Sequence, residues 1–258
     1  MIRKLAAVQF VRFMESGRTS PALFGCEDES GRMIGEYVLK LRGTVSQAGL
    51  VKEMFASGLA SHFGLVSPEP ALIGIERNLA DLITRMFPTH AAVIAASVGL
   101  NFGTRALTGV STWPVDKSLP FAMFQAATNI FAFDALIQNP DRRYCNPNLF
   151  AKGDSLVIFD HEMAFSFLLA LFPSAPWSLD DQQYLSEHVF FRTLKSKGVD
   201  LTAFTASLAG LTDGVLAEFL ADVPGEWRDD SLPKIKEHLC AIRDHVAEFA
   251  EAVRRFLA

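Results

Sequence analysis

The sequence predicts a mixed α+β protein, with a small antiparallel sheet in residues 1–104 and a mainly helical part in residues 105–258. Two observations carry this prediction. In the first part, short apolar segments with strand-like patterns are separated by turns rich in glycine, serine and aspartate. In the second part, long segments with apolar residues at helical spacing are separated by glycine and proline. We therefore expect an N-lobe and a C-lobe, divided near residue 104.

Three strands are expected at the start of the chain. Residues 5–14 alternate apolar and polar side chains, residues 22–27 are apolar and extended, and residues 33–41 continue the pattern. Turn-forming segments at 16–21 and 28–31 separate them. The sequence therefore predicts an antiparallel meander with two tight connections.

The first of these connections has two interpretations. It contains the small and hydroxyl-bearing residues Ser16, Gly17, Arg18, Thr19 and Ser20. Backbone N–H groups in such a loop can approach phosphate oxygens, and the hydroxyls can add donors. A plain hairpin turn uses the same residue types. These residues alone leave both interpretations open.

Helices and strands alternate in the rest of the first part. We expect a helix at 49–63, a strand at 71–75, a helical region at 77–97 that is interrupted at Pro88, and a strand at 98–107. The strand at 98–107 comes last in the first part of the chain, and this position makes it a candidate hinge between the lobes. The backbone groups of Asn101 and Phe102 are then candidates to hydrogen-bond an adenine.

The second part is expected to form one continuous helical lobe. Residues 120–138 are apolar on nearly every side, which predicts a central, buried helix that ends at Asn139-Pro140. A loop with proline and tryptophan, residues 109–119, precedes it. Three amphipathic helices are expected at 180–196, 200–222 and 231–257.

Composition argues against several classes of protein. Half of the residues are hydrophobic, the net charge is −5 and no basic segment indicates nucleic-acid binding. The three cysteines at 26, 145 and 240 are too far apart for a zinc-ligand pair, and their odd number does not suit a disulfide framework. No apolar run approaches the roughly 20 residues of a membrane helix. We therefore expect a soluble, cytoplasmic protein with neither a membrane nor a nucleic acid as partner.

Two carboxylates and an amide lie on either side of a short hairpin that follows the apolar helix. Asn146 lies five residues after Asp141, and an apolar strand at 156–159 leads to Asp160. Oxygen donors of this kind can hold a divalent metal ion and orient a hydroxyl group. Phosphoryl transfer uses this chemistry.

Asp134 is a carboxylate inside the apolar helix. A buried carboxylate needs a partner, so we expect a structural role. In that role Asp134 braces the loop after Asn139, through Arg142.

Lys40 lies between two leucines in the third predicted strand, thirteen residues before Glu53 in the following helix. On one interpretation Lys40 lies in an exposed edge strand, where its charge discourages pairing with another strand. Glu53 is then a solvated partner of Lys52 or another neighbour. On the other interpretation Lys40 reaches nucleotide phosphates and Glu53 holds it there, as in protein kinases. The residues around Asp141 favour the second interpretation.

The pattern Asn-x-Asp-Arg-x-x-x-Asn at 139–146, a hairpin and a strand ending in Asp160-His161 resemble the HipA-like kinases. These are bacterial relatives of the phosphatidylinositol 3/4-kinase branch of the protein-kinase-like fold. With Lys40, Glu53 and the segment 64–68, the likeness covers most of the chain. It is closest to the short, stand-alone form of the family. The resemblance implies a two-lobed protein-kinase-like fold, with a small antiparallel-sheet N-lobe and a mainly helical C-lobe.

The resemblance also implies roles for individual residues. Asp141 would accept or orient the proton of the substrate hydroxyl, while Asn146 and Asp160 would bind Mg²⁺. Lys40 would contact the phosphates of ATP and Glu53 would brace it. Two departures are present: His161 stands where ordinary protein kinases have Phe-Gly, and Arg143 stands where many relatives have histidine.

The leading hypothesis is an ATP- and Mg²⁺-dependent kinase that phosphorylates a Ser or Thr hydroxyl of a protein, either itself or another. An antitoxin-type partner belongs to what the family resemblance implies. A second hypothesis is a catalytically silent nucleotide-binding module. A third is a metal-dependent hydrolase that uses Asp141, Asp160 and His161, although zinc hydrolases usually supply more than one histidine. A buried, structural His161 is the simpler expectation.

Overall fold

The computed structural model describes residues 2–14, 19–114 and 117–258. It confirms the mixed α+β class. The chain divides into two compact units. The first unit contains Met1–Met54 and Pro68–Thr108, and the second contains Phe55–Ser67 and Gly109–Ala258.

The strands of the first unit form a closed five-stranded barrel. They are β1 (Arg3–Phe13), β2 (Ala22–Glu27), β3 (Met33–Lys40), β4 (Pro70–Ile75) and β5 (Gly99–Arg105). The predicted meander β1–β2–β3 is confirmed and is antiparallel throughout. The barrel then continues in the order β3–β5–β4, and β4 pairs with β1 in parallel. The predicted antiparallel pairing therefore holds for every strand pair of this barrel except β1–β4, which is parallel and closes it.

Apolar side chains fill the core of the first unit. Phe24, Tyr37 and Leu39 are fully buried within it. A Cβ at Gly103 would lie 2.6 Å from the end of the Ile73 side chain, so that side chain would have to move. The close packing at Gly103 shows that a strand glycine can be required by an approaching neighbour rather than by a turn.

Helices α1 (Gln47–His62), α2 (Arg77–Met86) and α3 (Ala91–Ala96) accompany these strands. A 3₁₀ turn at Pro88–His90 separates α2 from α3, as the proline predicted. Helix α1 is shared: residues up to Met54 belong to the first unit and Phe55 onwards belongs to the second.

The second unit contains a small sheet and six further helices among the residues that the structure describes. The sheet consists of β6 (Ser111–Thr112), β7 (Leu149–Lys152) and β8 (Ser155–Ile158). The helices are α4 (Phe124–Leu136), α5 (Phe191–Leu194), α6 (Thr202–Ala209), α7 (Asp213–Asp222), α8 (Ser231–Asp244) and α9 (Val246–Leu257). Helix α4 is buried over most of its length, so the predicted central helix is confirmed.

The three long helices predicted at the end of the chain are each wrong in extent. Segment 180–196 forms a 3₁₀ turn at Gln183–Glu187 and the four-residue helix α5. Segment 200–222 is divided into α6 and α7 because Thr212 caps a new helix, its side chain accepting a hydrogen bond from the backbone of Val215. Segment 231–257 is divided at His245, whose φ of −127° and ψ of 42° are not helical.

No single helix in the described ranges is long and apolar enough to cross a membrane. Helices α6 and α7 together pass a test of length and composition, but they are bent by 76° at the break between them.

Protonation of His238 is expected to weaken the fold in mild acid. Burial lowers the pKa of His238 from its usual 6.5 to about 4, against the opposing effect of its hydrogen bond to the carbonyl oxygen of Leu136. The unfolded chain therefore takes up this proton below about pH 6.5, whereas the folded chain takes it up only near pH 4. Stability should fall over this interval as the pH falls, by roughly 3 kcal/mol from this residue at 1.36 kcal/mol per pKa unit.

Urea denaturation of the wild type and of His238→Gln at pH 7.0 and about pH 4.5 checks this expectation. The loss of stability on acidification should be smaller in the variant by about 2–3 kcal/mol. An equal loss in both proteins would contradict the assignment.

Candidate active site

Lys40 and Glu53 form a buried ion pair in the first unit. The side chains are 14% and 3% exposed, and Lys40 Nζ donates to Glu53 Oε1. Strand β3 carries Lys40 between β2 and β5, so the interpretation of Lys40 as a residue of an exposed edge strand is wrong. The predicted partnership of strand lysine and helix glutamate is present. Its role in binding phosphates stays a prediction.

The predicted adenine-contacting residues lie in the middle of β5, which is paired on both sides. Phe102 is opposite Lys40 on one side and Leu72 on the other. The Asn101 side chain is fully buried, accepts a hydrogen bond from the backbone N–H of Arg42 at 2.9 Å and donates to two backbone carbonyls. These bonds tie β5 to the segments that contain Arg42 and Ser97. A contact with adenine stays a prediction for both residues.

Only part of the predicted phosphate loop falls among the described residues. Ser16, Gly17 and Arg18 lie outside them, while Thr19 and Ser20 follow as a turn into β2. Ser20 has a positive φ of 42°. Binding of phosphate by this loop stays a prediction.

A fully buried ion pair, Asp134 with Arg142, lies at the centre of the second unit. Arg142 Nε donates to Asp134 Oδ2 at 2.6 Å, and both side chains are 0% exposed. Asn139 donates to the other carboxylate oxygen at 2.8 Å. Asp134 therefore braces the loop after Asn139 through Arg142, and the structural role predicted for it is confirmed.

His188 completes this buried cluster. Its Nδ1 accepts the backbone N–H of Phe190, so the ring proton of the neutral imidazole lies on Nε2, which donates to Asp134 Oδ2 at 3.1 Å. Burial lowers the pKa of His188, although Asp134 opposes the shift. Burial alone would raise the pKa of Asp134, but the charge of Arg142 and the hydrogen bonds from His188 and Arg142 hold it below its ordinary value. The cluster is thus an ion pair supported by a neutral histidine.

Arg142 also fixes the backbone of the two segments that carry the candidate catalytic residues. One guanidinium nitrogen, Nη1, donates to the carbonyl oxygens of Asn148 at 2.5 Å and of Phe159 at 3.2 Å. Phe159 directly precedes Asp160, which has the left-handed backbone conformation with a φ of 61°. A non-glycine residue in that conformation has to be held by its surroundings. Arg142 contributes by anchoring the preceding carbonyl.

The carboxylate of Asp141 is oriented by its own loop. Oδ2 accepts hydrogen bonds from Asn146 at 3.1 Å and from Asn148 at 3.0 Å. Oδ1 lies 3.3 Å from a guanidinium nitrogen of Arg143. The side chain remains 25% exposed, so a hydroxyl group from solvent can reach it. Asp141 and Asn146, five residues apart, are therefore in direct contact.

The chemistry of the donors fits a hard cation such as Mg²⁺. Asn146 uses its amide nitrogen for Asp141, so its amide oxygen is the atom that can bind a cation. Asp160 offers a carboxylate and is half-buried. Mg²⁺ prefers oxygen ligands of these two kinds.

Sequence reasoning missed Asn148 and His188 as members of the site, and gave Asn139 no role although it belongs to the 139–146 pattern. Asn148 orients Asp141, and Asn139 accepts the Asp141 backbone N–H at 3.2 Å. The repeat of asparagine at 146 and 148 was the available signal for Asn148. His188 lies 54 residues from Asp134 and no local pattern marks it. His161 is buried, at 1% exposure, as expected of a structural histidine.

Comparison with known proteins identifies the family of the chain. A family model described as HipA-like kinase matches residues 7–253. The crystal structure of a Helicobacter pylori proinflammatory kinase, CtkA, is similar in fold, with a TM-score of 0.57 and 10% sequence identity over 100% of this chain and 99% of that one. No curated protein matches the chain. Because the family model covers nearly the whole sequence, the chain belongs to the HipA-like kinase family.

Proposed function

We propose that the protein is an ATP- and Mg²⁺-dependent kinase that transfers the γ-phosphate to a Ser or Thr hydroxyl of a protein. The observation that carries the proposal is the Asp141 carboxylate, held by Asn146 and Asn148 and still accessible to solvent. Membership of the HipA-like kinase family supports phosphate transfer as the reaction class.

Asp141 acts on the acceptor in this proposal. A carboxylate within hydrogen-bond reach of a hydroxyl can orient it and accept its proton as the new bond to phosphorus forms. The two asparagine donors keep one carboxylate oxygen in place. Oxygen Oδ1, next to Arg143, is then the acceptor for the hydroxyl proton.

Lys40 neutralises phosphate charge, and Glu53 keeps the ammonium group in position. A lysine with few solvent contacts that is held by a buried glutamate is preorganised, so little reorganisation is needed when an anion arrives. Asn146 and Asp160 would hold Mg²⁺, which neutralises charge on the transferred phosphoryl group when bound. Catalysis in this scheme comes from positioning and charge rather than from a covalent intermediate.

The alternative function, a silent nucleotide-binding module, predicts a different result when the protein is incubated with ATP and Mg²⁺. Both functions require ATP with Mg²⁺ to raise the melting temperature, since a ligand that binds only the folded state stabilises it. Only a kinase also transfers label from γ-labelled ATP to protein. A rise in melting temperature without any transfer would favour the silent module.

Removing the Lys40–Glu53 pair is expected to abolish most of the activity with little loss of stability. In Lys40→Met/Glu53→Gln both charges of the pair are removed together, so neither is left buried without the other. We expect kcat/KM for ATP to fall by about 10²-fold, the effect of losing one preorganised electrostatic contact. Lys4→Met, at an exposed lysine of β1, is the matched control and should retain full activity. Wild-type kcat/KM in the double variant would contradict the role of Lys40.

A further inference from the structure

A cavity of about 220 Å³ lies beside the loop that carries Asp141. Its polar lining includes two cations, two hydroxyls and two aromatic rings: Lys117, Arg192, Ser118, Thr193, Trp113 and Tyr144. Each cation lies over one of the rings. Lys117 Nζ is 4.9 Å from the ring centre of Trp113, and the Arg192 guanidinium is 5.1 Å from that of Tyr144.

Hydrogen bonds connect the walls of this cavity to the catalytic loop. The backbone N–H of Tyr144 donates to the carbonyl oxygen of Glu187 at 2.9 Å, and that of Val189 donates to Arg142 at 3.1 Å. Trp113 is tied to the hairpin by its N–H bond to Leu149 at 2.9 Å. The cavity is therefore built on the same framework that positions Asp141.

Both charged side chains among the described residues that line the cavity are cations, which suits an anion. In the described ranges, neither Lys117 nor Arg192 has a carboxylate within ion-pair distance; their recorded side-chain contacts are with the aromatic rings. Two cations with two neighbouring hydroxyls match the several acceptor oxygens of a carboxylate or a phosphate group.

The size of the cavity limits the anion to a small group. Pockets for whole small molecules measure about 300–1,000 Å³, which exceeds the 220 Å³ found here. A single amino-acid side chain suits that volume better than a whole nucleotide does. Aromatic walls around the cations also suit the aliphatic stem of such a side chain.

We propose that this cavity binds an anionic side chain, a carboxylate or a phosphate group, of the polypeptide that receives the phosphate. The identification of that polypeptide as the acceptor rests on the kinase function proposed above. Tyr144 is three residues from Asp141, so their Cα atoms are at most about 11 Å apart. An extended acceptor spans this distance in about three residues. The anionic residue therefore lies within about four positions of the phosphorylated hydroxyl.

Binding of labelled peptides, without ATP, tests the proposal. The probes are fluorescein-labelled peptides of alanine and glycine with one serine and, three residues before or after it, phosphoserine, glutamate or glutamine. Fluorescence anisotropy should show tighter binding of the phosphoserine and glutamate peptides than of the glutamine peptide, and this preference should weaken as salt is raised. Tighter binding of the phosphoserine peptide assigns the phosphate group as the ligand, tighter binding of the glutamate peptide assigns the carboxylate, and equal binding shows that the cavity accepts either anion.

Variants locate the binding. Arg192→Gln and Lys117→Gln should each weaken binding of the anionic peptides by about fivefold, as expected for the loss of one partly solvated charge pair. Lys195→Gln is the matched control, because Lys195 also lies over a ring, Phe191, at 5.5 Å but does not line the cavity. Equal binding of anionic and glutamine peptides, or unchanged binding by both cavity variants, would overturn the proposal. If the protein binds the anionic peptides selectively but transfers no phosphate, the kinase function is refuted and the anion site is retained.

Discussion

Replacing Asp134 by asparagine is expected to lower the free energy of unfolding by about 3–5 kcal/mol, the cost of leaving a buried charge without its partner. The substitution keeps the shape of the side chain, so the loss reports charge rather than a cavity. Arg142 would remain with no carboxylate in a fully buried position, and His188 would lose an anionic acceptor. Urea denaturation at pH 7 measures the change as a shift in midpoint.

Two further variants test whether this loss of stability comes from the buried Asp134–Arg142 pair. Asp154→Asn, in the exposed turn of the β7–β8 hairpin, should change stability by no more than about 0.5 kcal/mol. Asp134→Asn/Arg142→Met should lose less than the sum of the two single variants, because the pair interacts directly. A loss below about 1 kcal/mol in Asp134→Asn would contradict the structural role of the cluster.

Asp141→Asn is expected to lower kcat of phosphate transfer by about 10²–10⁴-fold, the range attributed to a positioned general base. An amide keeps nearly the same shape and can still accept the hydrogen bonds from Asn146 and Asn148. It cannot accept the proton of the substrate hydroxyl. KM for ATP should stay within about twofold, since Asp141 acts on the acceptor rather than on the nucleotide.

Asp154→Asn again serves as the control, because it removes the same charge from the same region of the chain. It should transfer phosphate at the wild-type rate. If Asp141→Asn retained wild-type kcat, Asp141 would not be the catalytic base. A parallel rise in KM for ATP would instead indicate that Asp141 contacts the nucleotide.

Local patterns predicted the elements whose neighbours are close in sequence. The alternation in residues 5–14 and the turns on either side of 22–27 produced the β1–β2–β3 meander. The continuous apolar character of 120–138 predicted a buried helix, and α4 is buried. In each case the signal lies within the element itself or in the turn next to it.

Elements that depend on distant contacts were not predictable in this way. The apolar pattern of 231–257 runs on through His245, where the helix breaks, and the His245 ring stacks on Trp177 at 3.6 Å. Segment 180–196 is pinned to the catalytic loop by backbone hydrogen bonds instead of forming one helix. The closing pair β1–β4 joins residues more than sixty positions apart. These long-range contacts override the local periodicity.

The residues of the candidate site divide in the same way, into those that local sequence marks and those that only the fold brings together. Asp141 and Asn146 share one loop; their spacing of five residues marked both as candidates, and the structure brings them into contact. Arg142 was expected to brace Asp134, since a buried carboxylate requires a partner and an arginine follows it closely. His188 comes from a segment far along the chain. Only the fold brings it to Asp134.

Transfer of label from γ-³²P-labelled ATP to protein, by the wild type with Mg²⁺ and with EDTA, tests the proposed function most directly. The proposal predicts acid-stable label on serine or threonine in the presence of Mg²⁺, and none when the metal ion is chelated. Absence of labelled protein with a mixed protein pool as acceptor, while Mg²⁺-ATP raises the melting temperature, would contradict it.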